Sequence, residues 1–99
     1  MSWFVVSLTY VKPVAEIDAA MKPHVAFLER HQSAGVFIAW GRKVPRTGGI
    51  IIACGDARAK IEAIMTEDPF ISRGLATFEV TEFSPKPQAV VDGVAALLR

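Results

Sequence analysis

Residues 50–54 read Ile50-Ile51-Ile52-Ala53-Cys54, a short apolar run rich in β-branched side chains. Such a run reads as a strand. Side chains on a strand alternate between the two faces of its sheet, so an unbroken apolar run needs cover on both. The chain therefore has to place a layer on one side of this strand and something else on the other. With 99 residues it holds one domain and a core with little to spare. Yet 52% of the residues are hydrophobic. A surplus of that kind fits a second buried surface, most simply a subunit interface.

The rest of the chain supplies the layers. Residues 2–10 alternate with period two, Phe4, Val6, Leu8 and Tyr10 on one face and Trp3, Val5, Ser7 and Thr9 on the other, which predicts a strand. Lys12-Pro13 breaks it. A helical stretch is predicted over 14–34, with Ile17, Ala20, Met21, Phe27 and Leu28 at three- and four-residue steps. Pro23 should kink it or start a better second half, and Gly35 is the expected C-cap. Strands are predicted over 36–41 and 50–54, joined by the loop 42–49 with its Pro and Gly residues. A helix over 57–67 is expected to be capped by Asp56 and ended by Pro69. A last strand covers 75–83, and a short apolar tail over 88–98 reads as a helix.

The order is β-α-β-β-α-β, the ferredoxin-like α+β arrangement: helices on one face of a four-stranded antiparallel sheet. One such domain is expected over 1–86, followed by a helical tail over 87–99 with a role in oligomer contacts. A second subunit is expected over the open face.

Charge and motifs narrow the partners. The formal net charge is +1, from 11 basic and 10 acidic residues. That balance gives no long-range field for nucleic acid or an anionic membrane, so neither is an expected partner. A single cysteine excludes an internal disulfide. No signal peptide or membrane-length apolar run is visible, and a cytoplasmic location is the expectation. There is no Cys/His cluster, no His-Glu-x-x-His and no Gly-Lys-Ser/Thr after Gly48-Gly49, so neither a metal nor a nucleotide cofactor is expected.

Two polar residues sit on apolar stripes. His24 is three residues from Met21 and four from Leu28; Asp68 is four from Ile64 and seven from Ile61. The two helices of this topology run side by side in parallel. His24 follows Pro13 by 11 residues and Asp68 follows Asp56 by 12, which puts both about 17 Å along their helices. Helices pack about 8–10 Å apart, so the two side chains should meet. Asp68 is expected at a helix C-terminus, where the dipole and partial burial both disfavour its charge, and a histidine partner offsets both costs. The carboxylate then holds one ring nitrogen, and the other is free to move a proton near neutral pH. A satisfied structural contact is the competing reading of the same pair.

Several segments resemble the YCII-related (YciI-like) domain family: Lys22-Pro23-His24-Val25-Ala26-Phe27-Leu28, Ala34-Gly35 with Ala39-Trp40-Gly41, Gly48-Gly49-Ile50-Ile51-Ile52, and Asp68-Pro69-Phe70 with Gly74-Leu75. The resemblance covers about residues 3–83. It implies a dimeric α+β barrel and assigns His24 and Asp68 to the active-site pair. Two departures stand out: Arg42 follows the strand-two glycine where the family commonly has proline, and the tail beyond Pro85 is additional.

Other candidates are weaker. Ser7, Thr9, Tyr10, Phe27 and Trp40 are candidate ligand-lining residues, although core packing explains the aromatic ones equally well. Arg42, Lys43 and Arg46 cluster in one loop, where they either attract an anionic substrate or are simply solvated. His31 lies about 10.5 Å along the helix from His24, so the two cannot share a metal. Cys54 is expected to be a buried, inert thiol. The leading functional expectation is a cofactor-independent acid–base enzyme, a lyase or isomerase, acting on a small organic molecule through His24 and Asp68. The alternative is a non-catalytic small-molecule-binding or regulatory oligomer, a homodimer or larger.

Overall fold

A computed structural model describes residues 1–98; Arg99, the last residue of the expected tail, lies outside them. The elements run β1 (Ser2–Tyr10), α1 (Val14–Ala19), α2 (Met21–Ser33), β2 (Phe37–Arg42), β3 (Gly48–Gly55), α3 (Arg58–Met65), α4 (Pro69–Ser72), β4 (Ala76–Phe83) and α5 (Pro87–Leu97). The strands form one antiparallel sheet in the order β2-β3-β1-β4. This is the expected α+β fold, with the helices α1 to α4 packed on one face. The core lies between the two layers, where Phe4, Val6, Leu8, Ile51 and Ala53 from the sheet meet Ile17, Phe27, Leu28, Ile61, Met65 and Phe70 from the helices. Each large side chain buried there contributes about 1.5–3 kcal/mol.

The first helical stretch is two helices, not one. Pro23 lacks the N–H that would bond back to Ala19, and its ring crowds that carbonyl. The chain yields at Ala20 (φ −102°, ψ 4°) and restarts, which leaves Pro23 in the first turn of α2, where its missing donor costs nothing. Gly35 ends α2 as expected. It adopts φ 79°, while Val36 N–H donates to His31 O at 3.0 Å and Gly35 N–H to Gln32 O at 3.0 Å. That is a Schellman closure. Gly74 (φ 68°) closes α4 in the same way, through Leu75 N–H to Phe70 O and Gly74 N–H to Ile71 O.

Two expected helix ends are corrected. Asp56 does not cap α3; the cap position is Ala57, and no side chain bonds there. Pro69 does not merely end a helix; it opens α4 as its first residue, with Asp68 as N-cap. Proline is favoured at that position because its fixed φ suits a first turn.

The strands also differ from simple alternation. In β2 the pairing passes from Phe37↔Ala53 to Ala39↔Ile52, so Ile38 is an extra residue, a β-bulge. Strict alternation would place Ala39 and Gly41 beside Phe37 on the helix side. The bulge places Trp40 and Arg42 there instead, opposite Ile51 and Gly49. The third strand begins at Gly48 rather than Ile50. Its helix-side residues Ile51 and Ala53 are buried, while Ile50, Ile52 and Cys54 on the open face are half-buried. Cys54 is therefore not sealed in the core, although its thiol lies 3.3 Å from Gly35 O. The tail helix α5 buries no residue and exposes Val91, Val94 and Leu97.

Gly48 sits where β3 meets β1 so closely that a Cβ there would overlap the Leu8 carbonyl; at Gly41 a Cβ meets nothing within 4 Å. Gly48→Ala should therefore lower the unfolding free energy by about 2 kcal/mol or more, as overpacking does. Gly41→Ala should stay within about 0.5 kcal/mol of the parent. Urea denaturation of the two variants checks the difference.

Candidate functional site

Asp68 is the one charged side chain buried in the core among the described residues. It is held because it ends one helix and begins the next. As N-cap of α4 its Oδ1 accepts from Phe70 N–H at 2.9 Å. Asp68 therefore stands at a helix N-terminus and not at the C-terminus expected from the sequence. The same oxygen lies 2.8 Å from His24 Nδ1. An oxygen already accepting a backbone N–H serves best as an acceptor again, so the ring donates and Nδ1 carries hydrogen. Asp68 Oδ2 is buried without a hydrogen-bond partner.

His24 stands on the first full turn of α2, its backbone N–H bonded to Ala20 O at 3.2 Å. The break at Ala20 thus sets where on the helix the imidazole projects. Its side chain is 12% exposed. The Phe70 ring lies flat against it, centroids 3.7 Å apart and planes 6° from parallel. Carboxylate and ring together fix position, tilt and tautomer. Among the described residues nothing bonds His24 Nε2.

The imidazole borders a cavity of about 170 Å³ between α2 and the sheet. The helix contributes Met21, Val25 and Leu28; β1 contributes Leu8 and Tyr10; β2 and β3 contribute Trp40, Arg42, Ile51 and the glycine backbone of 41, 48 and 49. Gly49 pairs with both Leu8 and Arg42 and puts no side chain between them, which leaves room. Asp68 is behind His24 and does not border the cavity. An engineered apolar cavity of about 150 Å³ takes up benzene, so this one suits a single small ring. Its lining is apolar and aromatic with a few polar groups, the usual make-up of a small-molecule site.

The sequence candidates separate by location. Tyr10, Trp40 and Arg42 border the cavity with His24. Ser7 and Thr9 project from the other side of β1, on the open face, and Phe27 is in the core beside Phe37. His31 is not at the cavity. Its ring packs against Phe27 and Phe37, and Nε2 lies 3.2 Å from Glu67 Oε1, a second tie between α2 and the α3–α4 turn. The basic cluster is split as well. Arg46 donates to Asp18 at 2.6 Å and lies over the Tyr10 ring; Asp18 first, then Tyr10, raise its pKa above the ordinary guanidinium value. Lys43 Nζ lies 3.4 Å from Thr9 Oγ1. Sequence reasoning gave Phe70 no role. The signal was present: Asp-Pro-x is a cap followed by a first-turn proline, and it aims the N–H of the third residue back at the carboxylate.

Among the described residues no group of three or more His, Cys, Asp or Glu converges as a metal site. No helix there is long and apolar enough to cross a membrane. The family model of the YCII-related domain matches residues 3–84. No curated protein matches the sequence. Among solved structures, the chain is similar to 5-chloro-2-hydroxyhydroquinone dehydrochlorinase from Burkholderia phenoliruptrix AC1100, in complex with 2,5-dihydroxybenzoquinone. The TM-score is 0.73 at 15% identity, over 87% of this chain and 97% of that one. It is also similar to SnoaB, a cofactor-independent oxygenase from Streptomyces nogalater, with TM-score 0.46 at 18% identity, over 86% of this chain and 92% of that one.

Because one Asp68 oxygen serves two donors, its removal should cost more than a cap. Asp68→Ala loses about 1 kcal/mol of capping and a charge-assisted bond of about 1.5–3 kcal/mol, a total of about 2.5–4 kcal/mol. Asp68→Asn keeps an acceptor oxygen at the same place and should cost about 1 kcal/mol. Equal losses for the two variants in chemical denaturation contradict the shared-acceptor account.

Proposed function

The chain belongs to the YCII-related domain family, and from that premise we propose that it is an acid–base enzyme acting on a single-ring organic molecule through His24 and Asp68. One observation carries the reading. His24 borders a ring-sized cavity with Nδ1 bonded at 2.8 Å to a buried carboxylate. In that tautomer Nε2 bears the lone pair. It takes a proton from a substrate hydroxyl, or from a carbon beside a carbonyl. The electron pair left behind forms a C=O or C=C bond. In an elimination it expels a leaving group; in an isomerisation another substrate atom takes the proton back from the imidazolium. The Asp68 carboxylate faces the charge that the ring gains, and Phe70 presents its π-face to it. Proton transfer of this kind requires no cofactor.

The structural neighbour supports the substrate class. Its name places it on a chlorinated hydroxyhydroquinone, and its bound molecule is a dihydroxybenzoquinone. A hydroxylated single ring is also what the cavity volume admits.

The reading extends to assembly. The sheet face away from the helices carries Trp3, Val5, Ile50 and Ile52, with Trp3 and Phe83 edge-to-face at 6.1 Å. A second copy of the chain covering this face as a homodimer accounts for the half-buried isoleucines of β3.

Two experiments test these proposals. His24→Gln should keep the native circular dichroism spectrum, with a stability loss no greater than that of the bond to Asp68, about 1.5–3 kcal/mol, while turnover of a hydroxyquinol or related ring falls by about 10²–10⁴-fold. Binding without turnover in the parent would favour the non-catalytic module instead. Ile52→Glu should give a monomer in analytical ultracentrifugation, because it places a charge on the face assigned to the partner; an unchanged sedimentation coefficient rejects that interface.

A further inference from the structure

The cavity holds a clue to substrate charge, and it rests on the acid–base reading above. Its lining contains no Asp, Glu or Lys, and Arg42 carries its fixed charge. The neighbouring cations are occupied, Arg46 by Asp18 and Lys43 by the Thr9 hydroxyl. Among the described residues no carboxylate pairs with Arg42. An arginine left without a counter-ion on the wall of an otherwise apolar cavity is matched by an oxyanion, which its planar fork binds with geometry as well as charge.

The placement of Arg42 comes from the bulge at Ile38. The extra residue turns Arg42 to the helix side of the sheet, opposite Gly49, whose missing side chain leaves the guanidinium stem unobstructed toward the cavity. His24 reaches the same space from α2. The two functional groups thus come from different walls, one to hold charge and one to move a proton.

We infer that Arg42 is the anion-recognising residue of this cavity and that the substrate is a single-ring organic monoanion. Its carboxylate or ring oxyanion sits toward β2, and its exchangeable proton faces His24. Arg42 is a positioning and specificity residue; the proton transfer remains with His24. Because Arg42 is exposed, water screens part of its attraction, and the preference for an anion over its neutral isostere should be about tenfold rather than a hundredfold.

The test uses probes that share a ring and a hydroxyl but differ in charge: 4-hydroxybenzoate against 4-hydroxybenzamide, with 4-nitrophenolate as the ring-oxyanion arm. Binding to the full chain is followed by NMR shifts of the His24 ring and the Arg42 guanidinium. The parent should bind 4-hydroxybenzoate, 4-nitrophenolate or both about tenfold more tightly than the amide; the anion preferred distinguishes carboxylate from ring oxyanion. Arg42→Gln should erase that preference by weakening the anions far more than the amide, and Arg42→Lys should keep part of it. Arg42→Glu should invert it, so that 4-hydroxybenzylamine binds better than 4-hydroxybenzoate. Equal affinity for charged and neutral probes, a preference that survives Arg42→Gln, or no binding of any probe at millimolar concentration overturns the inference. The acid–base reading is judged separately, by whether His24→Gln retains turnover, so either can fail alone.

Discussion

The site depends on one buried oxygen. Asp68 Oδ1 accepts from the first turn of α4 and from the imidazole on α2, and so ties the α3–α4 turn to the helix across from it. A carboxylate taken fully out of water is costly unless donors replace the lost hydration. Here the backbone supplies one donor and His24 the other, while Oδ2 is left without a partner. Such an arrangement is an indifferent way to stabilise a fold, since an apolar residue of similar size carries no desolvation cost. It is a good way to hold an imidazole at one tilt and in one tautomer. The stacked Phe70 ring acts in the same direction, because the residue that donates to Asp68 through its backbone also packs against His24 through its side chain.

The cavity follows from defects in otherwise regular elements. Pro23 forces the break at Ala20, and that restart sets the height and direction from which His24 projects. The bulge at Ile38 exchanges Ala39 and Gly41 for Trp40 and Arg42 on the helix side. Gly49, on the helix side opposite Arg42, leaves empty the volume that a side chain would otherwise fill. Trp40 is then steadied by its Nε1–H donating to Gln32 at 3.0 Å, which ties the rim of β2 to the end of α2. Local propensity and tertiary function disagree at these few places, and those are the places that border the site.

Much of this was legible in the sequence. Period two in β1 and β4, the apolar run of β3 and the glycine after α2 each have a single structural reading. The meeting of His24 and Asp68 also followed from counting rises along two helices, although one premise was wrong. The helices are interrupted, and Asp68 caps a new one instead of trailing an old one. The two side chains meet even so, at 2.8 Å. What period counting could not find was Ile38. A bulge adds one residue without changing composition, and it inverts every side chain after it. For that reason Arg42, already a candidate for the pocket mouth, read as a loop residue when it ends β2 and borders the cavity. Ser7 and Thr9 were grouped with the site because strand polarity alone does not say which face meets the helices.

The two faces of the sheet meet different surroundings. Ile51 points into the helix layer, while Ile50 and Ile52, one residue either side, project on the open face; Ile50 borders the cavity along with Ile51, and Ile52 does not. Alternation along a single strand keeps the ligand wall and the apolar outer surface apart by the thickness of one backbone. A change at Ile52 reaches His24 only through strand packing, whereas a change at Trp40 or Arg42 alters the cavity directly.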